Sequence, residues 1–384
     1  MATQDDDILS AVRPPRVDRA RSLRPNQRIA FLDALRIFAF LSVLLGHKFH
    51  AEIAAAANDP AVHATIRLLI RWTEPFIVGG GAGVVVFFLV SGYIITEVVS
   101  AETPLTFVLR RIFRIYPLYM VAVLAEVVLG RVFHGAPFPG PEVLLPRLLL
   151  LGDLFGTPLA LGGVEWTLRL EILFYAVMAM LKLLGVVERP TVLPWAFLAI
   201  TIVFQVTGPV HLHYGWTDGF VTVFLPFLFV GALINLGERR LVPWPWAAAC
   251  CAYFLASYFV ILPGVNPRAA QSHFAAVGIL LFLVAWRWRN AIVASGPLTV
   301  VSELTYPVYL LHLTTWAYLE ALLGAAGLRG GWLKAGTTAL LFLLCLAAHH
   351  AVERPANRLG RRIAAKLDPG ARRTDATTAL PTTG

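Results

Sequence analysis

The sequence predicts an all-α, polytopic membrane bundle of about ten transmembrane helices plus one short re-entrant or interfacial segment. Three observations predict it. Of 384 residues, 58% are hydrophobic and 14% charged, where an ordinary soluble domain is roughly a quarter charged, and the mean hydropathy is +0.70. Apolar stretches recur at the length of about 20 residues that crosses ~30 Å of hydrocarbon. No stretch alternates with the period of two that a barrel strand needs, and helices and closed barrels are the structures that satisfy every backbone group in lipid.

The stretches lie near 29–48, 76–99, 114–132, 165–187, 192–209, 216–236, 243–262, 271–287, 298–323 and 332–352. A further apolar patch at 143–157 is short, contains Arg147 and Asp153, and has Pro146 near its start. Basic residues gather at the ends of the stretches, as the positive-inside rule requires. On that rule the six arginines of residues 1–28, the run Arg110, Arg111 and Arg114, the pair Arg239 and Arg240, Arg287 with Arg289, and the final run from Arg354 to Lys366 face the cytoplasm. Four spans between Arg114 and Arg239 return the chain to that side; counting 143–157 as a fifth would invert every later loop. The expected organisation is a disordered basic cytoplasmic N-terminus at 1–28, a membrane domain at 29–356, and a basic, then disordered, cytoplasmic tail at 357–384.

The net charge of +9 reflects this placement at helix ends and not a nucleic-acid surface. Cys250, Cys251 and Cys345 lie inside apolar stretches without metal-ligand spacing. His211 and His213 form an HxH in a loop with no third ligand in view, so no metal is expected.

Polar residues inside the apolar stretches are the candidates for chemistry. Arg36 and His47 are separated by the ten residues IFAFLSVLLG. On a helix the two side chains point the same way, offset by ~20° and ~16 Å apart along the axis. A cation inside a bilayer helix costs about 2.5–3.5 kcal/mol; snorkelling to the inner interface accounts for Arg36 but leaves His47 unexplained. The second stretch holds GGGAG (79–83) and FFLVSGYIIT (87–96), whose Ser91 and Gly92 permit close helix approach or make room for a ligand. In FVLRRIFRIYP, Arg110 and Arg114 share a helical face beside Arg111, an arrangement suited either to anchoring at the inner surface or to gripping phosphates. In VEWTLRLEILFY, Trp166 suits the outer interface and Glu171 lies five residues deeper, on one face with Leu168 and Tyr175, in need of a partner. Tyr306, Tyr309 and His312 recur every three residues, as a hydrogen-bonding stripe between helices or a pocket lining. His349, His350 and Glu353 close the last stretch as an interfacial end cap.

Taken in order over residues 30–356, these insertions resemble the acyltransferase-3 family of integral membrane acyltransferases. The resemblance rests on Arg36-x10-His47, FFLVSGY at 87–93, and the arginine run before Ile115-Tyr116-Pro117. It continues through Trp166-Thr-Leu-x-x-Glu171-x-x-Phe174-Tyr175, Tyr306-x-x-Tyr309-x-x-His312 and Glu353-Arg-Pro355; Thr167 stands where a serine is common in the family. The resemblance implies transfer of an acyl group, commonly acetyl from acetyl-CoA, to a hydroxyl of a cell-envelope or secreted carbohydrate or glycolipid. It also implies a multi-pass protein among the lipids of a bacterial inner membrane. The expected roles are His47 as general base, Arg36 as oxyanion or donor contact, and Glu171 as a group orienting His47 or holding the acceptor. Arg110, Arg111 and Arg114, with Ser91 and Gly92, are expected to hold the donor, and Trp166, Tyr175, Tyr306, Tyr309 and His312 to bind the acceptor. The competing class is a transporter or flippase for a lipid-linked glycan with Arg36, His47 and Glu171 as a proton relay; a relay has no need of the arginine run. Reporter fusions after residues 138 and 160 are expected to land on the same side of the membrane, because 143–157 does not cross.

Overall fold

The computed structural model describes residues 25–207, 219–270 and 272–368, and every regular element among them is helical. Of the segments expected to be disordered, residues 1–24 and those from 369 onward lie outside the described residues, as does the His211–His213 pair, whereas residues 25–28, expected to belong to the disordered N-terminus, open the first helix. In chain order the elements are α1 (Pro25–Lys48), α2 (His50–Asn58), α3 (Ala64–Ile77), α4 (Gly81–Ala101), α5 (Pro104–His134) and α6 (Pro141–Leu148). They continue with α7 (Glu165–Leu183), α8 (Leu193–Val206), α9 (Phe220–Glu238), α10 (Trp244–Val265), α11 (Pro267–Ala270) and α12 (Phe274–Arg287). The last are α13 (Gly296–Glu303), α14 (Thr305–Leu311), α15 (Thr314–Ala325), α16 (Gly330–Ala348) and α17 (Arg354–Leu367).

Six helical segments among the described residues are long and apolar enough to cross a membrane: Ala30–Lys48, Ala64–Ala101, Pro104–His134, Phe220–Glu238, Trp244–Val265 and Gly330–Leu367. The expectation of about ten spans is not met by that measure, for three physical reasons. Helix α7 has 19 residues but carries Glu165, Arg169, Glu171 and Lys182. Helices α8 and α12 have 14 residues each, about 21 Å at 1.5 Å per residue. The stretch 298–323 is broken into α13, α14 and α15 at Leu304 and at His312–Leu313. The patch at 143–157 forms the eight-residue α6 and a short 3-10 turn, Gly152–Phe155, far too short to cross.

Local sequence explains the principal breaks. Between α3 and α4, Gly79 and Gly80 take φ of 55° and 68°, a left-handed geometry that costs glycine little, so the chain turns sharply at Val78–Gly80. Helix α5 starts on Thr103, whose hydroxyl accepts from the Thr106 amide at 3.3 Å, with Pro104 at the first position, where the missing N–H costs nothing. It stops at Gly135, φ 64°. After α16, His349–Glu353 forms one π-helical turn before α17.

Helix α4 is the hub of the bundle, packed against α1, α7, α9 and α12. Its contact with α9 is backbone to backbone. A Cβ built on Gly92 would lie 1.9 Å from the Leu228 carbonyl oxygen, and one on Gly231 would lie 2.1 Å from that of Leu89. Gly83 meets Ala39 of α1 in the same way, at 2.3 Å from its carbonyl oxygen. Gly92 is thus a helix-packing residue, which corrects its expected place in the donor site. Helix α9 is hydrophobic on every side and buried from Phe220 to Gly237, as a helix without a polar face must be.

Gly92→Ala is expected to force α4 and α9 apart and to cost at least about 1–3 kcal/mol. Gly264→Ala in α10, where nothing lies within 4 Å of the added carbon, is expected to leave the Tm in detergent unchanged or slightly raised. Equal melting of the two variants would refute the contact.

Candidate active site

Two layers of polar residues lie along α1, one near each end. The deeper layer gathers around Arg36. Its guanidinium donates to Asp33 Oδ1, one turn back, at 3.3 Å, and keeps 27% of its side-chain surface accessible. Arg114 of α5 lies within electrostatic reach of Arg36, and also of Glu171, Tyr175, Tyr306 and Glu353. Arg111 covers the rings of Phe107 and Tyr175 at 5.7 and 5.9 Å, and its Nε is buried without a hydrogen-bond partner. Among the described residues, neither Arg111 nor Arg114 has a carboxylate at ion-pair distance.

Glu171, buried in this layer, accepts a hydrogen bond from Ser91 Oγ at 3.1 Å and another from the Tyr175 hydroxyl. Tyr306 donates to the Ile115 carbonyl at 2.6 Å. Two expectations change here. Glu171 does not orient His47, because both of its named partners are hydroxyls of the deeper layer. Arg110 is engaged by Glu102 at 2.6 Å, with 13% and 7% of the two side chains accessible, so the guanidiniums left open to an anion are Arg111, Arg114 and, in part, Arg36. Ser91 serves Glu171 directly.

The outer layer is built on His47, exposed at the end of α1. Its Nδ1 lies 2.8 Å from Nε2 of His312. The rings are 4° from parallel with centroids 5.1 Å apart, and the short N···N contact makes them coplanar and edge to edge. His312 is fully buried, where the break after α14 leaves its Nδ1 2.8 Å from the Tyr309 carbonyl and 3.2 Å from that of Val308. His312 therefore stands behind His47, away from the acceptor space it was expected to line.

His47 opens into a cavity of about 670 Å³, together with Trp166, Phe220, Phe224, Asn266, Ser272 and Tyr309. The Trp166 ring sits 4.9 Å from Phe220 and 5.2 Å from Phe224, which makes one wall aromatic. Tyr309 donates to the Val164 carbonyl at 3.0 Å, and its hydroxyl shares a 2.6 Å hydrogen bond with that of Thr167. The opposite wall is the Val78–Gly80 turn, which approaches α1 because Gly46 has no side chain: a Cβ there would lie 2.1 Å from the Ile77 carbonyl oxygen.

Sequence reasoning missed the ion pairs that hold the loop between α6 and α7. Arg147 binds Glu126 at 2.6 Å, and Glu126 accepts the Leu161 amide at 2.9 Å. Arg169 binds Asp153, and Glu165 at 3.3 Å, and Glu165 accepts the Ala160 amide at 2.6 Å. These pairs present Gly162 and Gly163 to the cavity. The signal was available in Glu165 and Arg169, four apart on one helix face. His349 and Glu353, read from the sequence as an end cap, are bridged at 2.8 Å, and His349 also meets Glu303 at 3.3 Å, a contact the sequence did not indicate. No group of three or more metal-ligating side chains occurs among the described residues.

Comparison with known proteins adds identity to this geometry. The acyltransferase domain family matches residues 29–349. The exopolysaccharide production protein ExoZ of Rhizobium meliloti (strain 1021) is 27% identical over 306 residues, covering 73% of this chain and 91% of that protein. The acyltransferase MdmB of Streptomyces mycarofaciens is 30% identical over 169 residues, covering 42% of this chain and 39% of that protein. No solved structure matches the chain.

Arg110→Ala is expected to strand the buried Glu102 carboxylate and destabilise the protein by about 3–5 kcal/mol. Arg111→Ala strands no carboxylate and is expected to cost far less. Denaturant unfolding in detergent compares the two, and equal losses would show that Arg110 is not held by its pair.

Proposed function

The chain belongs to the acyltransferase-3 family, and from that premise we propose that it transfers an acyl group, acetyl in the family's common case, from cytoplasmic acyl-CoA to a carbohydrate hydroxyl in the cell envelope or a secreted glycan. The observation that carries this reading is the pairing of a deep guanidinium layer, Arg111 and Arg114 on α5 beside Arg36 on α1, with the exposed His47 imidazole at the outer cavity. Fixed cations with no carboxylate at ion-pair distance suit an anionic donor, and guanidinium forks match phosphate oxygens. The aromatic wall of the outer cavity suits the apolar face of a sugar, with Asn266 and Ser272 available to its hydroxyls. The name of the exopolysaccharide relative supports a carbohydrate acceptor; the inner membrane of a bacterium is the compartment where such an acceptor meets a cytoplasmic donor.

In this mechanism Arg111 and Arg114 hold donor phosphates, and Arg36 meets the donor nearer the bond that breaks. The separation of ~16 Å between Arg36 and His47 along α1 fits an extended pantetheine arm entering from the cytoplasmic side. His47 takes the proton of the acceptor hydroxyl, whose oxygen attacks the thioester carbonyl. The C–S bond breaks, the CoA thiolate leaves, and the proton passes from His47 to the thiolate. Glu171, held by Ser91 and Tyr175, offsets part of the charge of the arginine layer when no donor is bound.

The test is purified protein in detergent incubated with radiolabelled acetyl-CoA, wild type beside His47→Ala and Arg114→Ala. Wild type is expected to bind the donor or release CoA slowly. The His47 variant is expected to keep donor binding and lose transfer by about 10²–10⁴-fold, and the arginine variant to weaken binding. Full transfer by His47→Ala removes the base, and folded wild type with no donor interaction refutes the CoA reading.

A further inference from the structure

The two imidazoles at the outer cavity have their protons assigned by what surrounds them. Nδ1 of His312 faces the carbonyl oxygens of Tyr309, at 2.8 Å, and Val308, at 3.2 Å. A carbonyl only accepts, so this nitrogen carries hydrogen. His312 is fully buried and, among the described residues, has no carboxylate beside it, so it holds one proton, not two. Its Nε2 is therefore a bare lone pair. The atom 2.8 Å from that lone pair is Nδ1 of His47, which must then be the donor. A neutral His47 is left with its own lone pair on Nε2, the nitrogen directed away from His312.

We infer that His312 is a positioning residue for the transfer reaction, holding His47 in the Nδ1-protonated tautomer so that Nε2 is the base presented to the acceptor. This inference rests on the proposed function for the word base, but the assignment of the proton does not. The device is the one that orients a catalytic imidazole through a hydrogen bond to its other nitrogen, with a neutral histidine in place of a carboxylate and two backbone carbonyls in place of a buried charge. It depends on the helix break after α14: His312 and Leu313 separate α14 from α15, and the Tyr309 carbonyl accepts the imidazole proton three residues on. The ring plane of His47 is fixed by the same bond, since the two rings are coplanar within 4°. The ammonium of Lys48 lies within electrostatic reach of both rings, and the Gly79 carbonyl lies near His47 without the hydrogen-bond geometry that would hold a proton on Nε2.

The experiment is long-range ¹H–¹⁵N correlation spectroscopy on protein labelled with ¹⁵N-histidine, with the His47 signals identified by their loss in His47→Ala. Wild type is expected to show His47 protonated at Nδ1 and bare at Nε2. His312→Leu is expected to let the proton move to Nε2 and to lower kcat by about 10- to 100-fold, part of the usual gain from a general base, with KM for the donor unchanged. His312→Gln, which can still offer an acceptor oxygen to His47, is expected to restore the Nδ1-protonated signal and most of kcat. Melting curves of the three proteins show whether each variant is folded before it is compared. A wild-type His47 protonated at Nε2 overturns the inference, as does a folded His312→Leu with unchanged tautomer and kcat. If the tautomers behave as expected but His47→Ala still transfers acyl groups, it is the assignment of His47 as base that fails, and the positioning of its proton stands.

Discussion

The close approach of α4 to its neighbours is the constraint on which the rest of the bundle depends. Reciprocal glycines at Gly92 and Gly231 let the backbones of α4 and α9 touch, and Gly83 lets α1 come as near on the other side. Without a hydrophobic drive between helices in lipid, packing at this distance is a principal source of cohesion. It also sets the site. Ser91, next to Gly92 on α4, reaches Glu171 of α7 at 3.1 Å, and the turn at Val78–Gly80 closes the cavity only because Gly46 yields to it.

Charge is distributed by the same economy. The outer carboxylates and arginines, Glu126 with Arg147 and Asp153 and Glu165 with Arg169, are consumed in holding a loop. Arg110 is consumed by Glu102, and Glu238 by Arg289, Trp286 and Tyr93. Arg111 and Arg114 are left over. Desolvating a cation is expensive; Glu171 and Glu353 act on Arg114 only from beyond ion-pair distance, and a bound anion would offset more of the cost of keeping the two arginines together.

Much of this was legible in the sequence, and the exceptions have physical causes. Helical periodicity alone placed Arg36 and His47 on one face, and the cost of an intramembrane carboxylate singled out Glu171, because both depend only on local geometry and solvation. The partner of His47 was not legible: His312 lies 265 positions away, and nothing short of the tertiary fold brings α14 behind α1. Tyr306, Tyr309 and His312 read as one stripe, yet the chain breaks at His312, so Tyr306 meets α5, Tyr309 meets α7 and His312 meets α1. Gly92 was ambiguous for the opposite reason, since a small residue marks close approach without saying whether a helix or a ligand approaches. Fewer segments than expected are long and apolar enough to cross among the described residues, because hydropathy ran through helix breaks, as at 298–323, or tolerated charge, as in α7.

The π-helical turn at His349–Glu353 has a consequence of a different kind. Each added helical residue rotates everything after it by about 100°, so a five-residue closure in place of four works as a dial. It turns the glycine face of α17 toward α5, where Gly360 rests against Phe113, one position before Arg114. Chain length at this one point, more than the identity of any side chain, decides which flank of the terminal helix braces the arginine-bearing segment. A tail shortened by a single residue would retain its composition and charge and present the wrong side.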